Sequence, residues 1–169
     1  LNKNRALRII REQPCSRVNL AKKLGLTRSA ISVICKELKD QNLIYDGTLS
    51  KSEGGRPAVE VCLNGEYGVF AGVFITRSVC FVGLCDFAGE VLAQEQMAVN
   101  VDNAKQTLQE VVDKIKLFIS EYKNPKLLGI GITAPGPLDK DKGIIGEVVN
   151  FNGWNNLNIV DAFNNQFEC

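Results

Sequence analysis

The sequence predicts an α/β chain in two parts, a winged helix-turn-helix followed by a separate lobe of strands and helices, and three observations lead there. Residues 16–47 read SRVNLAKKLGLTRSAISVICKELKDQNLIYDG. This is a helix, a glycine turn and a second helix opening on Thr27-Arg28-Ser29, with a strand behind it, the layout that lays a second helix in a DNA groove. Charge divides the chain near the same place. Residues 1–58 carry 12 Lys and Arg against 5 Asp and Glu, a net +7, and residues 59–169 carry 8 against 14, a net −6. The overall +1 therefore conceals a basic module suited to a polyanion beside an acidic one. From Gly68 on, three β-rich runs, a long helix, a fourth run and a last helix follow in β-β-β-α-β-α order. That is the order of the first part of an actin-like (ribonuclease-H-like) lobe. The expected divisions are 1–63 for the winged helix, 64–67 for a linker and 68–169 for the lobe.

The first helix is expected from Asn4 to Gln13, with Leu7 and Ile10 inward and Pro14 ending it. Ser16 is placed to cap a second helix, Arg17 to Leu24, with Leu20, Ala21 and Leu24 as its apolar face. Gly25 supplies the left-handed turn position that most side chains disfavour. Thr27 then caps a third helix, Arg28 to Gln41. Ile31, Ile34, Cys35 and Leu38 recur at helical spacing as its buried side. That leaves Arg28, Ser29, Ser32, Lys36 and Lys39 on or near the open side. Arg and Ser at a helix N-terminus suit base edges and phosphates, and Lys suits phosphates. The candidate DNA contacts on this helix are Thr27, Arg28, Ser29, Ser32 and Lys36. Asn42 stops the helix, a strand starts at Leu43–Tyr45, and Ala58–Leu63 is the returning strand. The polar tip between them contains Gly55-Arg56-Pro57, whose extended backbone is narrow enough to put Arg56 into a minor groove. The competing readings are a solvated tip whose Arg touches nothing, and a winged helix that binds protein in place of DNA.

In the acidic part, Gly68–Ile75, Ser78–Asp86 and Val91–Val99 are expected to form an antiparallel meander with short turns. Residues 103–122 form a helix whose apolar line is Leu108, Val111, Val112, Ile115, Phe118, Ile119 and Tyr122. Asn124-Pro125 breaks it. Leu127–Thr133 is expected to be a buried strand, with Ala134-Pro135-Gly136-Pro137-Leu138-Asp139 a rigid loop at its end. A last helix is expected from about Ile159 to Phe167. Ligands of α/β sheets gather beyond the carboxyl ends of strands. Both the APGP loop and Asn150-Phe151-Asn152-Gly153-Trp154 follow such a strand. Amides of Asn150 and Asn152 either suit sugar hydroxyls, which donate and accept, or serve only to make turns. Trp154 either covers the apolar side of a pyranose or anchors its loop on the core.

Several classes are excluded. Hydrophobic residues make up 45% and charged ones 23%, a globular balance. No apolar run approaches the roughly 20 residues of a membrane span, and there is no signal-peptide pattern. The chain opens at Leu1 and its one Met is Met97, so the natural start is expected to lie outside this numbering. Six cysteines without a C-x-x-C pair, and no His, argue for reduced thiols of a cytoplasmic protein and against zinc or another metal within these residues. No nucleophile elbow or P-loop occurs, and Gly129, Gly131 and Gly136 do not match a dinucleotide loop. No catalytic residues are assigned.

The winged helix, GGRPA at 54–58, GVFIT at 72–76, FAGEVL at 87–92, GIGITAPGPLD at 129–139 and NFNGW at 150–154 occur in this order. Together they resemble the ROK family, which holds sugar-responsive repressors and sugar kinases. The resemblance implies an actin-like two-lobed body, with Gly136, Asn150 and Asn152 at the sugar cleft. It implies a repressor that releases operator DNA when a sugar binds, acting as a homodimer. Kinase members carry an Asp-x-Gly-Gly-Thr phosphate loop where this chain has Phe74-Ile75-Thr76-Arg77-Ser78, so no enzyme activity is expected. The family's cysteine-rich zinc motif would lie beyond Cys169, so no cofactor is expected within these residues. The alternatives are a sugar kinase with a DNA-binding arm and a protein-binding adaptor.

Overall fold

Three helices open the chain, α1 (Asn2–Glu12), α2 (Arg17–Leu24) and α3 (Arg28–Asp40). The computed structural model describes residues 1–49, 57–123 and 125–169. The chain divides into two units, Leu1–Tyr67 with Phe87–Gly89, and Gly68–Asp86 with Glu90–Cys169. In the first, local signals set the helix ends. The Ser16 hydroxyl accepts the Asn19 N–H and the Thr27 hydroxyl accepts the Ala30 N–H, each satisfying an orphan donor of a first turn. Gly25 ends α2 at φ +66°, a conformation that a Cβ would strain. The helix α1 starts two residues earlier than the sequence indicates, and α3 ends one earlier. Strands β1 (Cys15–Ser16), β2 (Ile44–Leu49) and β3 (Val59–Leu63) form an antiparallel sheet in the order β1-β3-β2. Ala6, Ile10, Leu20, Leu24, Ile31, Cys35 and Leu38 close a core with Ile44, Val61 and Leu63 of the sheet. Arg56 and its Gly-Gly neighbours lie outside the described residues.

The second unit is built on a four-stranded sheet. Strands β4 (Val69–Ile75), β5 (Val79–Asp86) and β6 (Val91–Ala98) form the antiparallel meander. The helix α4 (Ala104–Glu121), capped by the Asn103 side chain, crosses to β7 (Leu127–Thr133), which runs parallel to β4. The sheet order is β6-β5-β4-β7. Alternation buries Val69, Ala71, Val73 and Ile75 against Leu108, Val111, Val112, Ile115 and Phe118 of α4. Tyr122 departs from that apolar line. It is exposed, and its hydroxyl donates to the Leu92 carbonyl.

The strand β7 is also not the buried strand the sequence suggests. It lies at the sheet edge and is only half-buried. Its outward face continues a bare surface. Gly83, Gly72 and Gly131 lie side by side across β5, β4 and β7, under a concavity of about 820 Å³. Phe74 and Phe81 stand exposed on one side of the glycine row, their rings 6.1 Å apart.

Beyond β7 the chain makes a second sheet that the sequence did not announce. Strands β8 (Leu138–Asp139), β9 (Ile144–Ile145) and β10 (Leu157–Asn158) pair antiparallel in the order β10-β9-β8. The last helix, α5, is only Asp161–Asn164. Its start is set by the Asn158 side chain, which accepts the Val160 and Asp161 N–H groups.

Gly153 fits where no side chain would. A Cβ there would lie 2.3 Å from the Asp102 carbonyl carbon and 2.8 Å from the Asn103 nitrogen, both backbone. Gly153→Ala is expected to destabilise the second unit by roughly 1–3 kcal/mol, as overpacking does. Denaturant unfolding of the variant reads this. An unchanged midpoint contradicts the close approach.

Candidate nucleic-acid interface and effector loops

The face of α3 is set by what the helix buries. Ile31, Cys35 and Leu38 are at most 1% exposed, which turns Arg28, Ser29, Ser32 and Lys36 to solvent. Two of the hydroxyls are partly committed. Ser32 donates to the Arg28 carbonyl at 2.9 Å, and Thr27 and Ser29 share a hydrogen bond at 3.0 Å while Thr27 caps the helix. Among the described residues no ion pair or hydrogen bond engages the side chains of Arg28 or Lys36.

Lys39 does not stay on the open side as the sequence suggests. It pairs with Asp46 of β2, which also accepts two bonds from Arg17 of α2 at 3.1 and 3.3 Å. The Lys39 hydrogen bond, with Arg17 beside it, holds the Asp46 carboxyl below the usual carboxylate range. Glu37 is likewise paired, with Lys3 of α1 at 2.8 Å. Glu37 on α3 and Asp46 beside it are thus neutralised internally, while Arg28 and Lys36 have no internal partner among the described residues. The sequence reading also missed Val33, which is 57% exposed on this same helix.

In the second unit the short sheet draws the candidate loops together by their ends. The APGP loop, with a cis Gly136-Pro137 bond, runs into β8, and the NFNGW segment runs into β10, with β9 between them. The Gly146 N–H donates to the Pro137 carbonyl at 2.8 Å and pins the loop. Asn150, in the left-handed region at φ +58°, and Asn152 are exposed, and no hydrogen bond holds their side chains among the described residues. Gly136 is exposed as well, and a Cβ there would approach nothing nearer than the Leu138 nitrogen at 3.5 Å. Trp154 resolves to the anchoring role. It is fully buried, stacks on Phe151 at 4.8 Å, and its indole N–H donates to the Asn100 carbonyl at 2.9 Å. Its face is closed to any sugar. Asn155 is also structural, accepting the Val148 N–H at 2.8 Å.

The turn at Thr76–Ser78 is closed on itself. The Thr76 hydroxyl accepts the N–H groups of Ser78 and Val79 at 3.4 and 3.0 Å and donates to the Val79 carbonyl at 2.7 Å. The Ser78 and Val79 amides are thereby spent within the turn and are not offered to a phosphate. All six cysteines are free, and burial pushes the Cys80 thiol up to about 11. Among the described residues no three His, Cys, Asp or Glu side chains gather as a metal site, and no helix is long and apolar enough to cross a membrane.

The ROK family model matches residues 71–169. The xylose repressor of Bacillus subtilis (strain 168) is 27% identical over 139 residues, which is 81% of this chain and 36% of that protein. The DNA-binding transcriptional dual regulator NagC of Escherichia coli (strain K12) is 27% identical over 158 residues, 92% of this chain and 38% of that one. The chain therefore spans a little over a third of the length of these curated relatives. A solved ROK family transcriptional regulator, a homolog of the E. coli Mlc protein, matches 98% of this chain and 42% of its own at 26% identity and a TM-score of 0.68. The ROK hexokinase from Thermus thermophilus matches 58% of this chain and 32% of its own at 17% identity and a TM-score of 0.50, a likeness of fold alone.

The Asp46 clamp carries a pH signature. Its lowered carboxyl contributes stability above the ordinary carboxylate value near 4, and loses it as pH falls through the lower folded value. Asp46→Asn is expected to cost about 0.5–1 kcal/mol at pH 7, the pair being partly exposed. The gap to the wild type should narrow below about pH 4. Urea unfolding at the two pH values checks this. A pH-independent gap contradicts the ion-pair account.

Proposed function

Because the chain belongs to the ROK family, we propose that it carries the DNA-binding part and the first part of the effector lobe of a sugar-responsive transcriptional repressor. Residues 1–63 are read as a winged helix-turn-helix, 64–67 as a linker and 68–169 as the opening of an actin-like lobe. The observation that carries the reading is the face of α3, where Arg28 and Lys36 have no partner among the described residues while Glu37 and Asp46 are neutralised by other cations. The repressor and the two regulators among the relatives support it. In this reading α3 lies in the major groove of operator DNA. Arg28 and Ser32 reach base edges, with Ser29 beside them at the capped N-terminus formed by Thr27. Lys36 reaches phosphate. Arg56, on sequence grounds alone, enters the adjacent minor groove. The repressor acts as a homodimer on two half-sites one helical turn apart, in the cytoplasm.

The effector is a small sugar held by Asn150 and Asn152, with Gly136 allowing backbone to approach the ring. Their exposed, uncommitted amides support this. The closed turn at Thr76–Ser78 supports binding without phosphoryl transfer. The likeness of fold to a hexokinase keeps a kinase with a DNA-binding arm as the second reading. For the sugar to release DNA it must bind the two states of the protein unequally. By linkage, operator DNA must then weaken sugar binding by the same factor.

Lys36→Ala should weaken specific and random duplexes alike and lower the slope of log K against log salt by about 1. Arg28→Ala should cost about 1–3 kcal/mol on a specific site and little on random DNA. Titrations of the full-length protein at several salt concentrations read both, and a flat salt dependence sinks the DNA-binding reading.

Calorimetry over neutral and N-acetylated sugars should find one ligand for the full-length protein. Asn152→Ala should weaken it by about 1–3 kcal/mol, with ADP release at background. ADP release that depends on the same sugar would overturn the non-enzyme reading in favour of the kinase.

A further inference from the structure

Val33 is a branched aliphatic residue 57% exposed in the middle of α3. It gives the isolated fold little, since it buries half or less of its surface and is a poorer helix former than alanine. Its place on the helix is informative. At about 100° per residue, burial of Ile31, Cys35 and Leu38 puts the outward pole of α3 on Ser29, Val33, Lys36 and Asp40, with Arg28 and Ser32 off to one side. Ser29, Val33 and Lys36 therefore form one stripe at i, i+4 and i+7, a hydroxyl and a cation flanking an apolar patch. Asp40 ends the stripe with a negative charge, which phosphates repel. That restricts close approach to the first two or three turns of the helix. With Lys36 directed to phosphate, as read above, Val33 is the member of the stripe left for a base edge, and the one aliphatic group that the major groove displays is the C5-methyl of thymine.

We propose that Val33 is a specificity residue that packs on the C5-methyl of a thymine in each operator half-site. The inference rests on the DNA-binding reading above. Its test uses the full-length protein and a duplex selected by that protein from a random library. Each thymine of the selected site is replaced singly by deoxyuridine, which removes only the methyl. At one position per half-site the wild type should lose about fourfold in affinity, what burying one methyl group is worth. Val33→Ala should lose a similar factor on the thymine duplex and nothing further on the deoxyuridine duplex. Alanine keeps the helix intact, so loss of folding does not cloud the comparison. Sequence-specific binding that is indifferent to every deoxyuridine, or Val33→Ala losses that add to the deoxyuridine loss, overturns the thymine contact and leaves the DNA-binding reading standing. Failure to select any preferred duplex overturns both.

Discussion

The seating of α3 is the constraint on which the functional reading depends. An α-helix is a rigid rotor, so placing three of its residues places all the others. Ile31, Cys35 and Leu38 are buried against α1, α2 and the small sheet, and this fixes the rotation of every exposed side chain on the helix. Gly25 and the Thr27 cap fix where α3 starts relative to α2. Asp46, reaching from β2 to Arg17 of α2 and Lys39 of α3, ties the two helices to the strand behind them. The charges that remain outward are those this clamp leaves over.

The second unit solves a related problem with one short segment. In NFNGW the apolar residues go inward, with Phe151 and Trp154 stacked in the core and Gly153 pressed on the backbone ahead of α4. The neighbouring Asn150 and Asn152 are thereby held outward, with no side-chain hydrogen bonds of their own among the described residues. In the proposed role such a fixed footing would help, because a loop that must order itself on binding loses affinity to entropy. The same indole that anchors this footing is for that reason withdrawn from any ligand.

Much of this was legible before any coordinates. The ends of α2 and the start of α3 followed from Ser16, Gly25 and Thr27, because capping is a local interaction. Strands β4, β5 and β6 followed from β-rich runs and short turns. What escaped detection was either too short to show a period or decided by distant partners. Strands β1, β8, β9 and β10 have two residues each, too few to alternate. Lys39 was misplaced because Asp46 lies in another element, and Tyr122 because the Leu92 carbonyl that receives its hydroxyl is on β6. Val33 is a separate case. Helical spacing set Ile34 and Cys35 inward and so left Val33 outward, but DNA contacts were sought only among polar and charged side chains. At the effector loops, the residue types were readable, but the inward turn of Trp154 depended on the Asn100 carbonyl far away in sequence.

The most direct test of the central claim, that the outward face of α3 enters the major groove, is methylation interference on the selected duplex with the full-length protein. One reagent, dimethyl sulfate, marks guanine N7 in the major groove and adenine N3 in the minor groove. The account predicts that N7 methylation blocks binding within each half-site, in two patches about one helical turn apart, with any N3 interference confined to the flanks. Interference at N3 alone, or none at either atom while the protein still binds, would contradict it.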